Sequence, residues 1–161
     1  MSADLAGHRN RSTDGWTRTF DLTVTVVDAT FWNANVETVQ SLLAYLTTDR
    51  WTIRFVDGGF SPTANPEADF PDEDCVVLLS GGLDSYIGVI DLVSDGKKPI
   101  AVSQTVRCDA EKQRAFAANI GGGIRHFQVN HNAVIPDPEN PPSQRARSIV
   151  FLAYGVFMAT T

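Results

Sequence analysis

Residues 75–86 read Cys-Val-Val-Leu-Leu-Ser-Gly-Gly-Leu-Asp-Ser-Tyr, and this run constrains the fold more than any other part of the chain. The apolar residues Cys75–Leu79 predict a short strand buried on both faces. Ser80-Gly81-Gly82 then turns the chain straight into a helix spanning Asp84 to Asp95, with Ile87, Ile90 and Val93 expected inward and Gly96 as the stop. A strand that enters a helix through a glycine turn reads as the start of an alternating strand-helix pattern.

That pattern continues downstream. Pro99–Gln104 predicts a second strand, and Asp109 can cap a helix running to Ile120, ended by Gly121-Gly122-Gly123. Arg125–Val129 predicts a third strand, and the polar, proline-rich loop Asn130–Pro142 precedes a last helix from about Ser143. Repeats of this length imply an α/β fold with a doubly wound parallel sheet. Three strands do not complete such a sheet, so the chain is expected to be a fragment or one half of a split protein.

The first third of the chain has a different organisation. Residues 1–14 are polar and aperiodic and are expected as a mobile tail. Residues 15–60 form a small α+β extension. In it Trp16, Phe20, Leu22, Val24 and Val26 share one parity and predict a half-buried strand. Val36, Val39, Leu43 and Leu46 share a helical face, with Asn33 or Asn35 as cap. Trp51, Ile53 and Phe55 alternate again before Asp57-Gly58-Gly59. One strand-helix-strand unit is too small to stand alone, so it is expected to dock on the rest of the protein or on a partner. Residues 61–73, acidic and punctuated by Pro62, Pro66 and Pro71, read as an extended linker to a domain over 74–161.

Bulk properties narrow the function classes. The formal charge of −6 over 161 residues does not suggest non-specific binding to nucleic-acid backbone and leaves only a local basic patch open for it. Cys75 and Cys108 are far apart and neither lies in a C-x-x-C pair, so no zinc site is expected from this chain alone, and two reduced thiols fit a cytoplasmic protein. Met1–Asp14 lacks the apolar segment of a signal peptide. The longest apolar stretch, Ile149–Ala159, falls short of the roughly 20 residues a membrane span needs.

The chemistry sits in Ser80, Gly81, Gly82, Leu83, Asp84 and Ser85. Two glycines let backbone N–H groups approach an anion closely, and the helix that follows turns its positive end to the same point. Ser80 and Ser85 add hydroxyls, and Asp84 can cap the helix or help hold a phosphate-bound Mg²⁺. The run is neither a Walker A loop nor a G-x-G-x-x-G dinucleotide turn. Its competing interpretation is an ordinary strand-to-helix turn that uses glycine for packing. Arg147 and Arg145, at the start of the last helix, could pair with a phosphate or carboxylate, or simply face solvent. His126 and His131 have poor spacing for a metal pair, Lys112 and Arg114 read as a solvated helix face, and Trp32 and Trp51 as packing.

Leu-Leu-Ser-Gly-Gly-Leu-Asp-Ser resembles the signature of the PP-loop ATP pyrophosphatases, which have the adenine nucleotide α-hydrolase-like fold. Within that superfamily the chain is most similar to the 7-cyano-7-deazaguanine synthase (QueC) family. Arg147-Ser148-Ile149-Val150-Phe151-Leu152 resembles that family's Arg-Asn-x-x-Phe-Leu helix start, with Ser148 where Asn is usual. The resemblance covers roughly residues 74–158. It departs at Ser103-Gln104-Thr105-Val106-Arg107, where the family carries an aromatic and Gly-Gln-Arg-His stretch, and the family's four-cysteine zinc site is missing. The N-terminal extension looks more like the extended QueC-like proteins of bacterial anti-phage defence operons, such as QatC.

The resemblance implies an ATP- and Mg²⁺-dependent ligase. A substrate carboxylate attacks the α-phosphate of ATP, pyrophosphate leaves, and an amine or ammonia then displaces AMP. The loop, with Arg147, would bind the nucleotide. The carboxylate would belong to a 7-deazaguanine or to a protein terminus supplied by a partner from the same operon, and Zn²⁺ would enter only through sequence outside this chain. No nucleophile or general base is named by these residues. The alternatives are a non-catalytic nucleotide-binding or assembly subunit, and another PP-loop enzyme such as a tRNA-modifying ligase.

Overall fold

A computed structural model of the chain describes residues 3, 6–61, 63, 72–105, 109–131, 137, 145 and 147–160. The chain divides into two compact units, Met1–Glu67 with Val134–Ala146, and Ala68–Ala133 with Arg147–Thr161. Most of the expected linker, Cys108 and most of the proline-rich loop lie outside the described residues.

The first unit is a strand-helix-strand module. Strands β1 (Thr19–Val26) and β2 (Arg50–Asp57) pair in parallel, from Thr19 opposite Arg50 to Val26 opposite Asp57. Between them run α1 (Ala29–Ala34) and α2 (Val36–Thr47). In β1 the half-buried Phe20, Leu22, Val24 and Val26 alternate with exposed Thr19, Asp21, Thr23 and Thr25. The apolar parity packs with Ile53, Phe55, Val36, Val39 and Leu43. Trp16 is excluded from the strand, because the Asp14 carboxylate accepts the N–H groups of Trp16 and Thr17 and turns the chain there. Those bonds, the one from Thr17 foremost, hold the Asp14 carboxyl well below the ordinary carboxylate range.

The register of this pair is pinned by a buried ion pair. Asp49 takes the backbone N–H of Arg18 at 2.9 Å and its Nε at 3.1 Å, and Nη2 closes on the second carboxylate oxygen. Arg18 precedes β1 and Asp49 precedes β2, so the pair fixes where both strands begin. On the outer edge of β2, Asn33 donates to Phe55 O and accepts its N–H, while Gln40 accepts the N–H of Ile53. Side-chain amides thus cover backbone groups that an edge strand would leave open. Helix α1 carries too few residues to show a helical period. Its one sequence signal is Asp28, whose carboxylate caps Phe31 N at 2.8 Å.

The second unit holds the parallel sheet β3 (Cys75–Leu78), β4 (Pro99–Gln104) and β5 (His126–Val129), in that spatial order, with α3 (Leu83–Ser94), α4 (Ala110–Asn119) and α5 (Arg147–Ala159). Every residue of the central β4 is buried. Strand β3, expected to be buried on both faces, is only half-buried, because it forms an edge of the sheet. Leu79, Val89, Ala101, Ala117 and Ile120 make the core with Val77, Tyr86, Val93 and Phe116, so α3 and α4 cover the face of the odd-numbered β3 residues. Leu78 faces the other way and meets α5, where a Cβ on Gly155 would sit 3.0 Å from its side chain.

The inward face of α3 differs from expectation. Val89 is fully buried and Tyr86 and Val93 flank it, whereas Ile87 and Ile90 are 46% and 37% exposed. Apolar residues run around most of this helix, so the 3.6-residue period does not select a face, and packing against Leu79 and Ala101 does. The expected start of the last helix near Ser143 lies outside the described residues, and α5 is described from Arg147.

Candidate functional site

Strand β3 ends at Leu78 and α3 begins at Leu83, so residues 79–82 make the whole connection at the carboxyl end of the strand. Gly81 adopts φ +88°, a conformation that L side chains rarely take, and it is buried. Gly82 is the extended N-cap residue and offers no side-chain cap to the helix. The first-turn N–H groups of α3 have no partner within the helix itself and stay available to an anion. Asp84 is exposed in that first turn, and the Leu83 side chain is exposed beside it.

Ser80 and Ser85 are brought together, with their Oγ atoms 3.0 Å apart. Ser85 Oγ donates to Gly82 O at 2.9 Å, so its single proton is spent there and Ser80 is the donor between the two hydroxyls. Gly82 N–H leans on Ser80 Oγ at 3.3 Å. The loop therefore closes on itself through two serines and a glycine.

Arg147 opens α5, and among the described residues its ion pair is with Asp109, the N-cap residue of α4, at 3.9 Å. Its guanidinium also lies 6.0 Å from the Phe151 ring. Arg145, two residues earlier, belongs to the first unit, where it stacks 3.7 Å over Trp16 and donates to Thr47 O. Lys112 and Arg114 are both exposed on α4, as expected of a solvated face, with Lys112 5.5 Å from the Phe116 ring centroid and Arg114 donating to Gln128. Trp51 stacks on Phe20 and donates to Thr47 Oγ1, which is a packing role.

Behind the turn lies a polar cluster that sequence reasoning missed. Ser103 Oγ donates to Leu79 O at 2.5 Å and therefore accepts from His126 Nε2 at 2.8 Å, which makes Nε2 the protonated nitrogen. Burial, and then the charge of Arg114, depress the His126 pKa and favour the neutral ring. Gln113 on α4 donates to Ser80 O at 3.2 Å and to Gln104 O at 3.1 Å. Gln128 Nε2 in turn donates to Gln113 Oε1 at 3.0 Å and to Ala110 O at 2.9 Å. The available signal was polarity in the wrong place: Ser103-Gln104 closes an apolar strand, and Gln113 lies on the helical face of Phe116 and Ala117.

A separate cleft of about 330 Å³ opens at the other edge of this sheet, where the strands begin. Glu73, Lys97, Lys98, Gly121 and Arg125 line it, and it contains none of residues 80–85. The C-terminal ends of α3 and α4 approach it, which disfavours an anion there, and Arg125 is paired with Glu73 at 3.5 Å. Nearby, burial and then Asp74 push the Cys75 thiol above its ordinary pKa, which favours the protonated form.

No family model, curated protein or solved structure matches this chain. No helix among the described residues is long and apolar enough to cross a membrane. The geometry on its own provides a glycine turn at a strand's carboxyl end, outward N–H groups at a helix start, two hydroxyls and one carboxylate. That set can hold a phosphate chain through its backbone, and a phosphate-bound divalent ion through Asp84.

Proposed function

We propose that this chain carries the phosphate-binding part of a PP-loop, ATP-dependent enzyme that forms AMP and pyrophosphate while activating a carboxylate. Its second unit then belongs to a doubly wound adenine nucleotide α-hydrolase-like domain. The observation that carries the reading is the Ser80–Ser85 turn, with Gly81 at φ +88° leading into the uncapped start of α3 at the carboxyl edge of a parallel sheet. Ligands of open α/β sheets sit at that edge.

ATP bound there supplies the activated bond between its α and β phosphates. The first-turn N–H groups of α3 hold the departing pyrophosphate, and Ser80 turns its hydroxyl from Ser85 to a phosphate oxygen. Asp84 holds the accompanying Mg²⁺, and Arg147 stands with Asp109 at the same edge, where it can meet a carboxylate or the α-phosphate. The activated carboxylate belongs to a QueC-like substrate, a 7-deazaguanine or a protein terminus offered by a partner, in a cytoplasmic setting.

Calorimetric titration with Mg-ATP and a pyrophosphate-release assay on the full-length protein test this reading. Asp84→Ala is expected to lower turnover about 10- to 100-fold, the value of one lost contact to a charged group, and Ser80→Ala about fivefold, because its hydroxyl gives up the bond to Ser85 to reach the phosphate. ATP binding and pyrophosphate release that survive both changes refute the loop assignment. Binding that persists without any pyrophosphate release instead favours a nucleotide-binding subunit without catalysis.

A further inference from the structure

The turn that carries the proposed site is shaped from behind by Gln113. This side chain is fully buried. Its two amide protons go to Ser80 O and Gln104 O, and its oxygen accepts from Gln128, so both of its donors are spent. In a trans peptide the C=O and the following N–H point in opposite directions. By drawing Ser80 O inward, Gln113 turns the Gly81 N–H outward. Ser103 does the same one residue earlier, where its hold on Leu79 O turns the Ser80 N–H away from the core.

Gly81 also rests against this side chain. A Cβ at that position would lie 3.3 Å from Gln113 Cγ. The position of Gln113 is fixed in turn by contacts to β4 through Gln104 and to β5 through Gln128, so three successive strand ends share one amide.

We infer that Gln113 is a positioning residue, which aims the Gly81 N–H, beside the Ser80 N–H that Ser103 sets, at the β and γ phosphates of the nucleotide without touching it. This assignment rests on the phosphate-binding reading given above and adds the residue that sets the shape of the site.

Two measurements on the full chain separate the assignments. The first is amide hydrogen exchange over residues 80–85 without nucleotide. Gln113→Met, similar in length and unable to donate, is expected to raise exchange there about tenfold, as one lost hydrogen bond allows. The second is calorimetric titration with Mg-bound α,β-methylene-ATP and, in parallel, with AMP, which has no β or γ phosphate. The triphosphate should weaken about tenfold in Gln113→Met while AMP stays within twofold. Gln128→Leu, at a less buried site, should shift both readouts the same way by less, and serves if Gln113→Met does not fold.

Unchanged exchange at 80–85 in a folded variant overturns the positioning role. So does an equal loss of AMP and triphosphate, which marks general damage to the unit. Raised exchange in a protein whose unaltered form binds no triphosphate leaves the positioning of the turn standing and refutes the nucleotide reading alone.

Discussion

Replacing Gly81 by alanine separates the backbone requirement of the turn from the packing behind it, because the same unit contains a matched control. Gly81 and Gly122 have almost the same φ, +88° and +84°. An alanine at either must accept a left-handed conformation, at a cost of about 1–2 kcal/mol. Around Gly122 nothing lies within 4 Å of the added Cβ, whereas at Gly81 it meets Gln113 Cγ at 3.3 Å. Gln113 cannot withdraw freely, since three hydrogen bonds hold its amide. Yielding by a few tenths of an ångström weakens at least one of them, which adds about 1 kcal/mol. The expected destabilisation is then about 2–3 kcal/mol for Gly81→Ala and about 1–2 kcal/mol for Gly122→Ala.

Differential scanning calorimetry reads the difference. For a domain of this size each kcal/mol lowers Tm by about 4–8 °C, so the two variants should differ by roughly that amount. Calorimetric titration with Mg-ATP reads the second consequence. Gly81→Ala distorts the turn and is expected to weaken ATP at least about tenfold, whereas Gly122→Ala, in the α4–β5 connection, should leave it unchanged. Equal Tm values for the two variants, with equal ATP affinity, would refute both the close packing of Gly81 on Gln113 and the role of the turn.

Asp49→Ala strands the Arg18 guanidinium, which is 3% exposed, and is expected to destabilise the first unit by about 3–5 kcal/mol. All three tryptophans lie in that unit, so denaturant titration followed by tryptophan fluorescence reports it, and a cost below about 1 kcal/mol contradicts the pinning role. Burial alone would raise the Asp49 pKa, but the bonds and charge of Arg18 outweigh it and hold the carboxyl below its ordinary value. The stability it contributes is thus full above the unfolded carboxylate pKa, near ~3.9, and is lost as pH falls through the native value. His126 also has a depressed native pKa, so the unfolded chain binds its proton first, and the second unit should lose stability as pH falls below about 6.5. Thermal unfolding from pH 8 to 5 should show less of this slope in His126→Asn, and an unchanged slope excludes His126 as its source.

Order and type of the main elements were legible in the sequence because each has a strong local signal. Period-two alternation marks β1 and β2, and glycine or aspartate punctuation brackets α3 and α4. Elements without such a signal were not legible. Helix α1 is a single capped turn and a half, and the face of α3 is set by its neighbours because its own apolar residues nearly encircle it. The turn itself was visible, since Ser80-Gly81-Gly82 directly follows an apolar run and precedes a helical one. Its support was not, because Gln113, Gln104, Gln128 and Ser103 are far apart in sequence and no local pattern links a glutamine on one helix to the carbonyl that ends another strand.

On the phosphate-binding reading, the two layers of the turn would divide the work of holding an anion. The serine protons face inward, Ser80 to Ser85 and Ser85 to Gly82 O, so the hydroxyls hold the loop together and contribute no free donor. An arriving phosphate that takes the Ser80 proton exchanges one hydrogen bond for a charge-assisted one, a gain of only about 1 kcal/mol. The backbone N–H groups need no such exchange, because Gln113 and Ser103 have already turned the preceding carbonyls inward. It follows that changes at Ser80 should mainly alter how a bound nucleotide is oriented for cleavage, and so appear in kcat, whereas changes at Gln113 should mainly alter whether the phosphates are held, and so appear in KM. Steady-state kinetics of Ser80→Ala beside Gln113→Met decides this, and a Ser80→Ala protein whose loss is confined to KM contradicts it.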